Sequence, residues 1–149
     1  MVRIRGLLIG SGSLTNFDPM QIEAASEQAL EDVTRLMIAL WPDCDYTTEL
    51  ENNKRLIESP ENTLLLAKDD NSAIGFIHIS LRHDHVEGTE TSPVGYVEGI
   101  YVSPDYRKTG VGRKLIKAGE VWAKQKGCTE FASDVEINNL NSLAFHKRI

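Results

Sequence analysis

The sequence predicts an α/β (α+β) fold in which helices flank a mixed central sheet. Apolar runs of strand length recur along the chain, and other segments carry apolar residues at helical spacing. Two of the strand-like runs are joined by a short turn, which predicts an antiparallel hairpin. A strand–helix–strand unit over residues 94–134 predicts a parallel pair with a crossover helix. Together these patterns give a sheet of mixed direction.

Length and composition restrict the function classes. The 149 residues suffice for one domain, and 41% hydrophobic with 26% charged residues is an ordinary globular composition. Without a membrane-length apolar run, a signal-peptide pattern or paired cysteines, the chain is expected to be cytoplasmic and to act at no membrane. No zinc-like spacing of Cys and His occurs, so no metal is expected. The net charge of −6 disfavours nucleic acid and is compatible with a cationic substrate.

The N-terminal part predicts a leader followed by a strand and a helix. Residues 1–19 contain the linker-like "GSGSLTNFDP", so we expect them to be a leader or an expression-derived segment, with one domain over residues 20–149. "MQIEAA" from Met20 predicts the first strand. Ser26 is expected to cap a helix that ends at Trp41. Its apolar stripe is Leu30, Val33, Met37 and Leu40.

The middle of the chain predicts one helix and three strands. "TELE" at residues 48–51 is a capping box, which would open a second helix reaching about Ser59. "NTLLLAKDD" and "AIGFIHISL" predict two strands of a hairpin that turns at residues 69–72. A polar loop over residues 82–93 precedes the fourth strand, "VGYVEGIYVS".

The C-terminal part predicts the crossover unit and a last helix. Residues 110–126 carry a stripe of Val111, Leu115, Ala118 and Trp122, and Gly127 is expected to cap that helix at its C-terminus. "TEFASD" predicts the fifth strand, and Asn139 to Ile149 a final helix. The predicted element order is βααβββαβα.

The turn after the fourth strand has the chemistry of an anion site. Arg107 and Lys108 precede Gly110 and Gly112, at the start of the predicted helix. Glycines let the backbone approach a ligand, and N–H groups at a helix start can bind a pyrophosphate. The turn matches neither the P-loop nor the dinucleotide-binding glycine pattern. A plain strand–helix turn with basic surface residues remains an open alternative on this segment alone.

In context, "RKTGVG" at residues 107–112 resembles the R/Q-x-x-G-x-G/A signature of the GNAT acetyltransferase superfamily. "NLNSLAFHKRI" at residues 139–149 is similar to that family's last helix, and the resemblance covers residues 20–149. It implies a GNAT fold and acetyl-CoA as co-substrate. The implied cofactor-binding residues are Ile100 and Val102 through their backbone, Arg107, Lys108, Thr109, Gly110, Val111 and Gly112 at the pyrophosphate, and Asn139 at the pantetheine arm.

Three segments give a narrower resemblance. Residues 40–43, 82–102 and 127–134 resemble the aminoglycoside 6′-N-acetyltransferases, whose substrates are polycations. The resemblance implies acetyl transfer to the 6′-amine by direct attack in a ternary complex, antibiotic resistance, and a homodimer. Two alternatives stay open: a GNAT enzyme for another polyamine or a protein amine, and a non-catalytic acyl-CoA-binding module.

Two carboxylates are the catalytic candidates. Glu98 interrupts an apolar strand, where an unpaired acid would be costly, and Gly99 beside it suits a bulge. Asp134 ends the fifth strand, at the edge of an α/β sheet where ligands bind. The alternatives are an outward-facing Glu98 and an Asp134 that only caps the next segment. The resemblance implies that both residues contact the acceptor amine or its ordered water.

The remaining substrate-binding candidates lie in a loop and at a helix end. Asp84, Glu87 and Glu90 make the loop before the fourth strand acidic, which would steer ammonium groups. His85 occupies a position where the family often has Tyr. Trp41 would form an aromatic wall for sugar rings, or else pack in the core at the end of its helix.

The resemblance also implies an incomplete C-terminus. The family continues with Gly-Phe and a final antiparallel strand pair, whose Tyr is the proposed general acid. None of the chain's four tyrosines (Tyr46, Tyr96, Tyr101 and Tyr106) matches it. We therefore expect the domain to lack that strand pair or to receive it from a partner chain, and otherwise to expose the edge of the fifth strand.

Overall fold

A six-stranded mixed sheet organises the computed structural model, which describes residues 20–133 and 145–149. The strands are β1 (Met20–Ala24), β2 (Asn62–Asp69), β3 (Ser72–Arg82), β4 (Val94–Val102), β5 (Glu130–Ser133) and β6 (Phe145–Arg148). The helices are α1 (Leu30–Leu40), α2 (Tyr46–Glu58) and α3 (Val111–Gln125), with 3₁₀ turns at Glu27–Ala29 and Pro104–Tyr106. The mixed α/β fold predicted from sequence is confirmed.

The strands lie in the sheet in chain order, from β1 to β6. Every neighbouring pair is antiparallel except β4 and β5, which are parallel and are connected through α3. The β2–β3 hairpin turns through Asp70 and Asn71, whose φ angles of 52° and 77° are left-handed. Asn and Asp tolerate that conformation, and a two-residue turn of this kind matches the strand twist.

Two irregularities of β4 shape its carboxyl half. The register with β3 shifts by one residue, because His78 pairs with Gly99 and Ile79 with Val97. Glu98 is therefore the extra residue of a β-bulge, as the sequence predicted beside Gly99. Within the described residues, the pairing with β5 is short and ends at Val97 opposite Ser133, while β4 runs on to Val102.

The helices cover the two faces of the sheet. On one face, α1 and α2 lie over Leu64, Leu66 and Phe76. On the other face, Leu115 of α3 is fully buried in a cluster with Phe131 and several further strand residues. Burial of large apolar side chains of this kind stabilises a fold by about 1.5–3 kcal/mol for each residue. Apart from Leu30, the residues of the predicted helical stripes belong to these clusters, Val33 and Met37 among them.

The second helix begins earlier than predicted. Its N-cap is Asp45, whose carboxylate accepts hydrogen bonds from the backbone N–H and the hydroxyl of Thr48, both at 2.9 Å. The capping box at Thr48 is therefore wrong, because Thr48 already lies within the first turn. Asp caps a helix as well as Thr, and here it lies three residues upstream. Ser26 precedes the 3₁₀ turn and makes no side-chain cap bond.

The predicted last helix is wrong over its C-terminal part. Phe145–Arg148 forms β6, which pairs antiparallel with β5 from Ser133–Phe145 to Glu130–Arg148. Pairing satisfies the backbone groups at the open side of β5, and this tertiary interaction outweighs the helical pattern. The edge of β5 predicted to be exposed is thus covered. The N-terminal part of the predicted helix, with Asn139, lies outside the described residues.

None of the helices in the described part of the chain is long and apolar enough to cross a membrane.

Candidate active site

An open cleft of about 620 Å³ lies at the carboxyl end of β4. Its walls come from the end of β4, the turn that follows it, the first turn of α3 and the last residue of α1. The lining residues are Leu40, Ile100, Tyr101, Val102, Tyr106, Arg107, Lys108, Gly110, Gly112 and Arg113. The cleft thus brings together six of the residues predicted to bind a cofactor, and it adds Arg113.

Backbone conformation in the turn depends on glycine. Gly110 is the N-cap of α3 and has a φ of 94°, and Lys108 has a φ of 65°. The first N–H groups of a helix lack acceptors within the helix, and its dipole favours an anion there. Arg107, Lys108 and Arg113 add three positive side chains to a protein of net charge −6. This end of the cleft can therefore hold a polyanion.

The other predicted turn residues shape the loop rather than line the cleft. Thr109 is exposed, and its hydroxyl donates to the carbonyl of Tyr106. Val111 is buried in the core, so only its backbone can take part in binding. The Tyr106 hydroxyl donates to Asp69 at 2.8 Å, and this bond raises the pKa of Tyr106. The bond ties the turn to the end of β2.

Arg107 lies back over β4. Its Nε donates to the carbonyl oxygen of Val102 at 2.8 Å, and its guanidinium is 5.4 Å from the ring centre of Tyr101. The charge is thereby fixed at the mouth of the cleft. The same bond occupies the Val102 carbonyl, one of the backbone groups predicted to hold a ligand.

Among the described residues, a stretch of β4 presents an open backbone edge. The pairing of β4 with β5 ends at Val97, and no described strand bonds residues 98–102 on that side. Ile100 and Val102 belong to this stretch and line the cleft. An open strand edge can form hydrogen bonds to the amides of an extended ligand, much as a sheet accepts an added peptide strand.

Glu98 lies on β4 two residues before Ile100, outside the lining of the cleft. Its carboxylate accepts hydrogen bonds from Ser80 Oγ at 2.5 Å and from Nε and Nη2 of Arg82 at 3.0 and 2.8 Å. The Glu98 side chain is 27% exposed. It is thus neither buried without partners nor simply outward-facing, since a two-residue polar platform on β3 holds it.

His78 belongs to the same polar face of β3. His78, Ser80 and Arg82 alternate along the strand, and His78 Nε2 lies 2.9 Å from Oδ1 of Asn62. Burial lowers the pKa of His78, and the nearby Arg82 charge lowers it further, while Glu98 opposes both. Burial thus disfavours the protonated form of the His78 imidazole.

Trp41 packs at the end of its helix, as one of its two predicted roles requires. The ring packs edge-on against Phe76, with ring centres 6.4 Å apart, at the margin of the core. It also lies over Gly99, where a Cβ atom would come within 2.4 Å of Cη2 of the indole. Gly99 is therefore required for this close approach, which brings Trp41 over the residue that follows Glu98 in β4.

The acidic loop is exposed at its tip and anchored at its base. Asp84, His85 and Glu87 are solvent-exposed, and the described contacts do not bring them to Glu98. The base is held by Glu130 of β5, which is fully buried and accepts the backbone N–H groups of Glu90 and Thr91 at 2.9 and 2.8 Å. Arg148 lies 3.3 Å from the Glu90 carboxylate and 3.9 Å from that of Glu130.

Sequence reasoning missed Ser80, Arg82, Arg113 and Glu130. The first two carried a signal, because polar residues at alternate positions of an apolar strand share one face. Glu130 carried none, since only the fold brings it to a loop 40 residues earlier in the chain. Asp134 lies outside the described residues. Within residues 20–133 and 145–149, no group of three or more metal-ligating side chains could hold a metal ion.

Comparison with known sequences identifies the family. Residues 26–149 match the profile of the acetyltransferase (GNAT) family, which spans most of the chain. The chain belongs to the GNAT family. Its glycine turn, the open edge of β4 and the cleft between them are thus elements of a GNAT acetyltransferase domain.

Several proteins and structures similar to this chain are aminoglycoside 6′-N-acetyltransferases. An aminoglycoside N(6′)-acetyltransferase type 1 of Acinetobacter haemolyticus is 45% identical over 87% of this chain and 89% of that protein. The enzyme of the same name from Salmonella typhimurium is 35% identical over 87% of this chain and 90% of its own. The structure of AAC(6′)-Iy with the bisubstrate analogue CoA-S-monomethyl-acetylneamine has a TM-score of 0.76 and 37% identity, covering 80% of this chain and 82% of that one.

Proposed function

We propose that this GNAT protein is an aminoglycoside 6′-N-acetyltransferase that moves the acetyl group of acetyl-CoA to the 6′-amine of aminoglycoside antibiotics and so confers resistance. The observation that carries the proposal is the cleft at the end of β4, where a cationic glycine turn adjoins an open strand edge. The names of the similar proteins support the acceptor class.

The residues of the cleft fit acetyl-CoA. Arg107, Lys108 and Arg113, together with the N–H groups at the start of α3, match the charge of a pyrophosphate. The open edge at Ile100 and Val102 matches the amides of a pantetheine arm. Acetyl-CoA supplies an activated acyl group and a thiolate leaving group.

Glu98 is the proposed acceptor-binding carboxylate, and Trp41 the aromatic wall beside it. The platform of Ser80 and Arg82 fixes the Glu98 carboxylate, so that it can receive an ammonium group or a water molecule. Asp134, which follows β5 directly, is proposed to share this role. The exposed carboxylates Asp84 and Glu87 would attract the polycation by long-range steering.

The proposed reaction needs no covalent enzyme intermediate when both substrates are bound together. A 6′-ammonium loses a proton through the water held by Glu98, and the neutral nitrogen forms a bond to the thioester carbonyl carbon. The carbon–sulfur bond breaks and the thiolate leaves. The acetylated nitrogen gives up its second proton to solvent, and a proton from solvent restores the thiol. Glu98 thus positions the amine and relays its proton, as general base catalysis requires.

Incubation of the protein with kanamycin and acetyl-CoA tests the function directly. We expect the mass of kanamycin to rise by one acetyl group, and NMR to place that group on the 6′-nitrogen. Spermidine and a short peptide serve as parallel acceptors. If spermidine or the peptide is acetylated and kanamycin is not, the aminoglycoside assignment is wrong. If the protein binds acetyl-CoA but releases free thiol with none of the amines, it is a non-catalytic module.

Two further features are proposed on the resemblance alone. We propose that the protein acts in the cytoplasm, where acetyl-CoA is available, and that it is a homodimer. Light scattering of the purified full chain measures the assembly, and a monomer at micromolar concentration would contradict the dimer.

A further inference from the structure

We propose that Arg82 is a positioning residue for the acceptor: with Ser80 it saturates one oxygen of the Glu98 carboxylate, and its single bond to the other oxygen leaves that oxygen able to receive the acceptor amine as well. The proposal deepens the proposed function and rests on it. It gives Arg82, a positively charged residue, a role in recognising an acceptor that is itself positively charged.

The hydrogen bonds divide the Glu98 carboxylate unevenly. Oε2 accepts three bonds, from Ser80 Oγ at 2.5 Å and from Nε and Nη2 of Arg82 at 3.0 and 2.8 Å. Oε1 accepts one, from Arg82 Nη2 at 2.9 Å, among the described residues. Because a carboxylate oxygen can accept two bonds or more, Oε1 retains capacity toward a ligand. Charge-assisted bonds of these lengths are strong enough to fix the orientation of the group.

Arg82 is itself held in place. Its guanidinium lies over the ring of Tyr96, with Cζ 4.1 Å from the ring centre. Tyr96 pairs with Ser80 across the ladder, so the two supports of Glu98 share one register. A guanidinium stacked on an aromatic ring loses little freedom when it binds a carboxylate in a fork. The bulge at Glu98 turns its side chain toward this platform.

A purely electrostatic role and a positioning role for Arg82 predict opposite effects when Arg82 is replaced: a gain in acceptor binding in the first case, and a loss of activity in the second. An arginine beside an acceptor site repels a polycation, so removal of its charge alone would tighten acceptor binding. If Arg82 orients Glu98, its removal lowers the rate of acetyl transfer because Glu98 no longer presents Oε1 in a fixed direction. A misplacement of about 1 Å at a reacting group can cost on the order of 100-fold in rate.

The variants Arg82→Gln and Arg82→Lys test the role. For Arg82→Gln we expect kcat/KM for kanamycin to fall about 10- to 100-fold, mainly through kcat, with the KM for acetyl-CoA within about twofold of the parent. Arg82→Lys keeps the charge but loses the fork, and we expect it to restore part of kcat. Arg55→Gln is the matched control, since Arg55 is an exposed arginine on α2 that bonds Asn52. It should leave both parameters within about twofold.

A double-mutant cycle distinguishes positioning of Glu98 from a purely structural role of Arg82, because it measures the coupling between the two residues. If Arg82 acts through Glu98, the variant Arg82→Gln/Glu98→Gln should be no slower than Glu98→Gln alone. Additive losses, or an Arg82→Gln protein that binds kanamycin more tightly at unchanged kcat, would overturn the proposal. Should Arg82→Gln not fold by circular dichroism, the same cycle is run with Arg82→Lys. Parental protein that acetylates no aminoglycoside refutes the proposed function, whereas active parental protein with fully active Arg82 variants refutes this inference alone.

Discussion

At the scale of a single residue, the proposed function assigns the acceptor chemistry to the carboxylate of Glu98. Glu98→Gln keeps the shape and removes the charge, so an acceptor amine loses both its counter-ion and its route for the proton. We expect kcat/KM for kanamycin to fall about ten- to a thousandfold, which corresponds to about 1.4–4 kcal/mol of transition-state stabilisation. Steady-state kinetics with both substrates varied measures this, and the KM for acetyl-CoA should stay near the parental value.

Glu61→Gln is the control for that variant. Glu61 is an exposed carboxylate just before β2 that pairs with His83 at 2.6 Å. Its replacement removes one negative charge without touching Glu98. Equal losses from both variants would assign the effect to overall charge, and near-parental activity of Glu98→Gln would make Glu98 a structural residue.

Gly110 tests the anion site at the same scale. A valine there would have to adopt a φ near 94°, which strains the turn and displaces the N–H groups at the start of α3. We expect Gly110→Val to raise the KM for acetyl-CoA at least tenfold, because charge-assisted bonds to phosphate are worth about 1.5–3 kcal/mol each. The KM for kanamycin should change far less.

The same helix offers the control at its other end. Gly127 has a φ of 93°, and a Cβ atom there would also meet nothing within 4 Å. Gly127→Val therefore imposes the same backbone strain away from the cleft. If both variants weaken acetyl-CoA equally, the effect of Gly110→Val comes from destabilised folding and not from a lost anion site.

At the scale of elements, the buried Glu130 joins β5 to the acidic loop. Glu130→Gln places an amide NH₂ group among N–H donors, and we expect a loss of about 1–3 kcal/mol of stability. Hydrogen exchange at the Glu90 and Thr91 amides should quicken, and the KM for kanamycin should rise more than that for acetyl-CoA. Thermal unfolding and exchange mass spectrometry measure these effects. Glu87→Gln, on the exposed part of the loop, should change none of the three, and unchanged amide exchange in Glu130→Gln would show that the loop does not depend on this carboxylate.

The elements also show how far sequence reasoning reaches. Local patterns sufficed for the hairpin at Asp70, the bulge beside Gly99 and the Gly127 cap, because the cause of each lies within a few residues. The start of α2 was misplaced because two good caps, Asp45 and Thr48, compete three residues apart. The strand at Phe145–Arg148 could not be predicted, since its formation depends on pairing with a distant strand.

The residues of the candidate site also differ in whether local sequence could predict them. The glycine turn and Glu98 stood out because their residue types are unusual in their local setting. Arg82 and Ser80 became functional candidates only when the register of β3 against β4 placed them beside Glu98. Contacts between side chains on different strands require the register, which local pattern alone does not fix.

At the scale of the whole molecule, His78 links stability to pH. Its folded-state pKa lies below the ordinary 6.5, chiefly because burial disfavours the charged imidazole. Between those two pKa values the unfolded chain binds more protons than the folded one, so stability falls as pH decreases below about 6.5. The slope from this residue is at most about 1.4 kcal/mol per pH unit. Charges that face the ring are Glu98 and Arg82.

Urea unfolding at a series of pH values measures this dependence. His78→Gln should flatten the fall in stability just below pH 6.5, while His85→Gln, at an exposed position of the loop, should retain the parental slope. An unchanged slope in His78→Gln would show that the histidine titrates equally in both states.

The short pairing of β4 with β5 has a mechanical consequence for the whole domain. Three residue pairs, from Gly95–Phe131 to Val97–Ser133, are the only ladder contacts in the described structure between the first four strands and the last two. In the described structure the sheet therefore consists of two leaves, β1–β4 and β5–β6, which are joined by these three pairs, and the pairing ends beside the cleft. A ligand that binds along residues 98–102 would add contacts next to the end of the β4–β5 pairing. Binding would then stiffen the domain as well as supply the acyl group, and the loaded protein would resist separation of the leaves more than the free one.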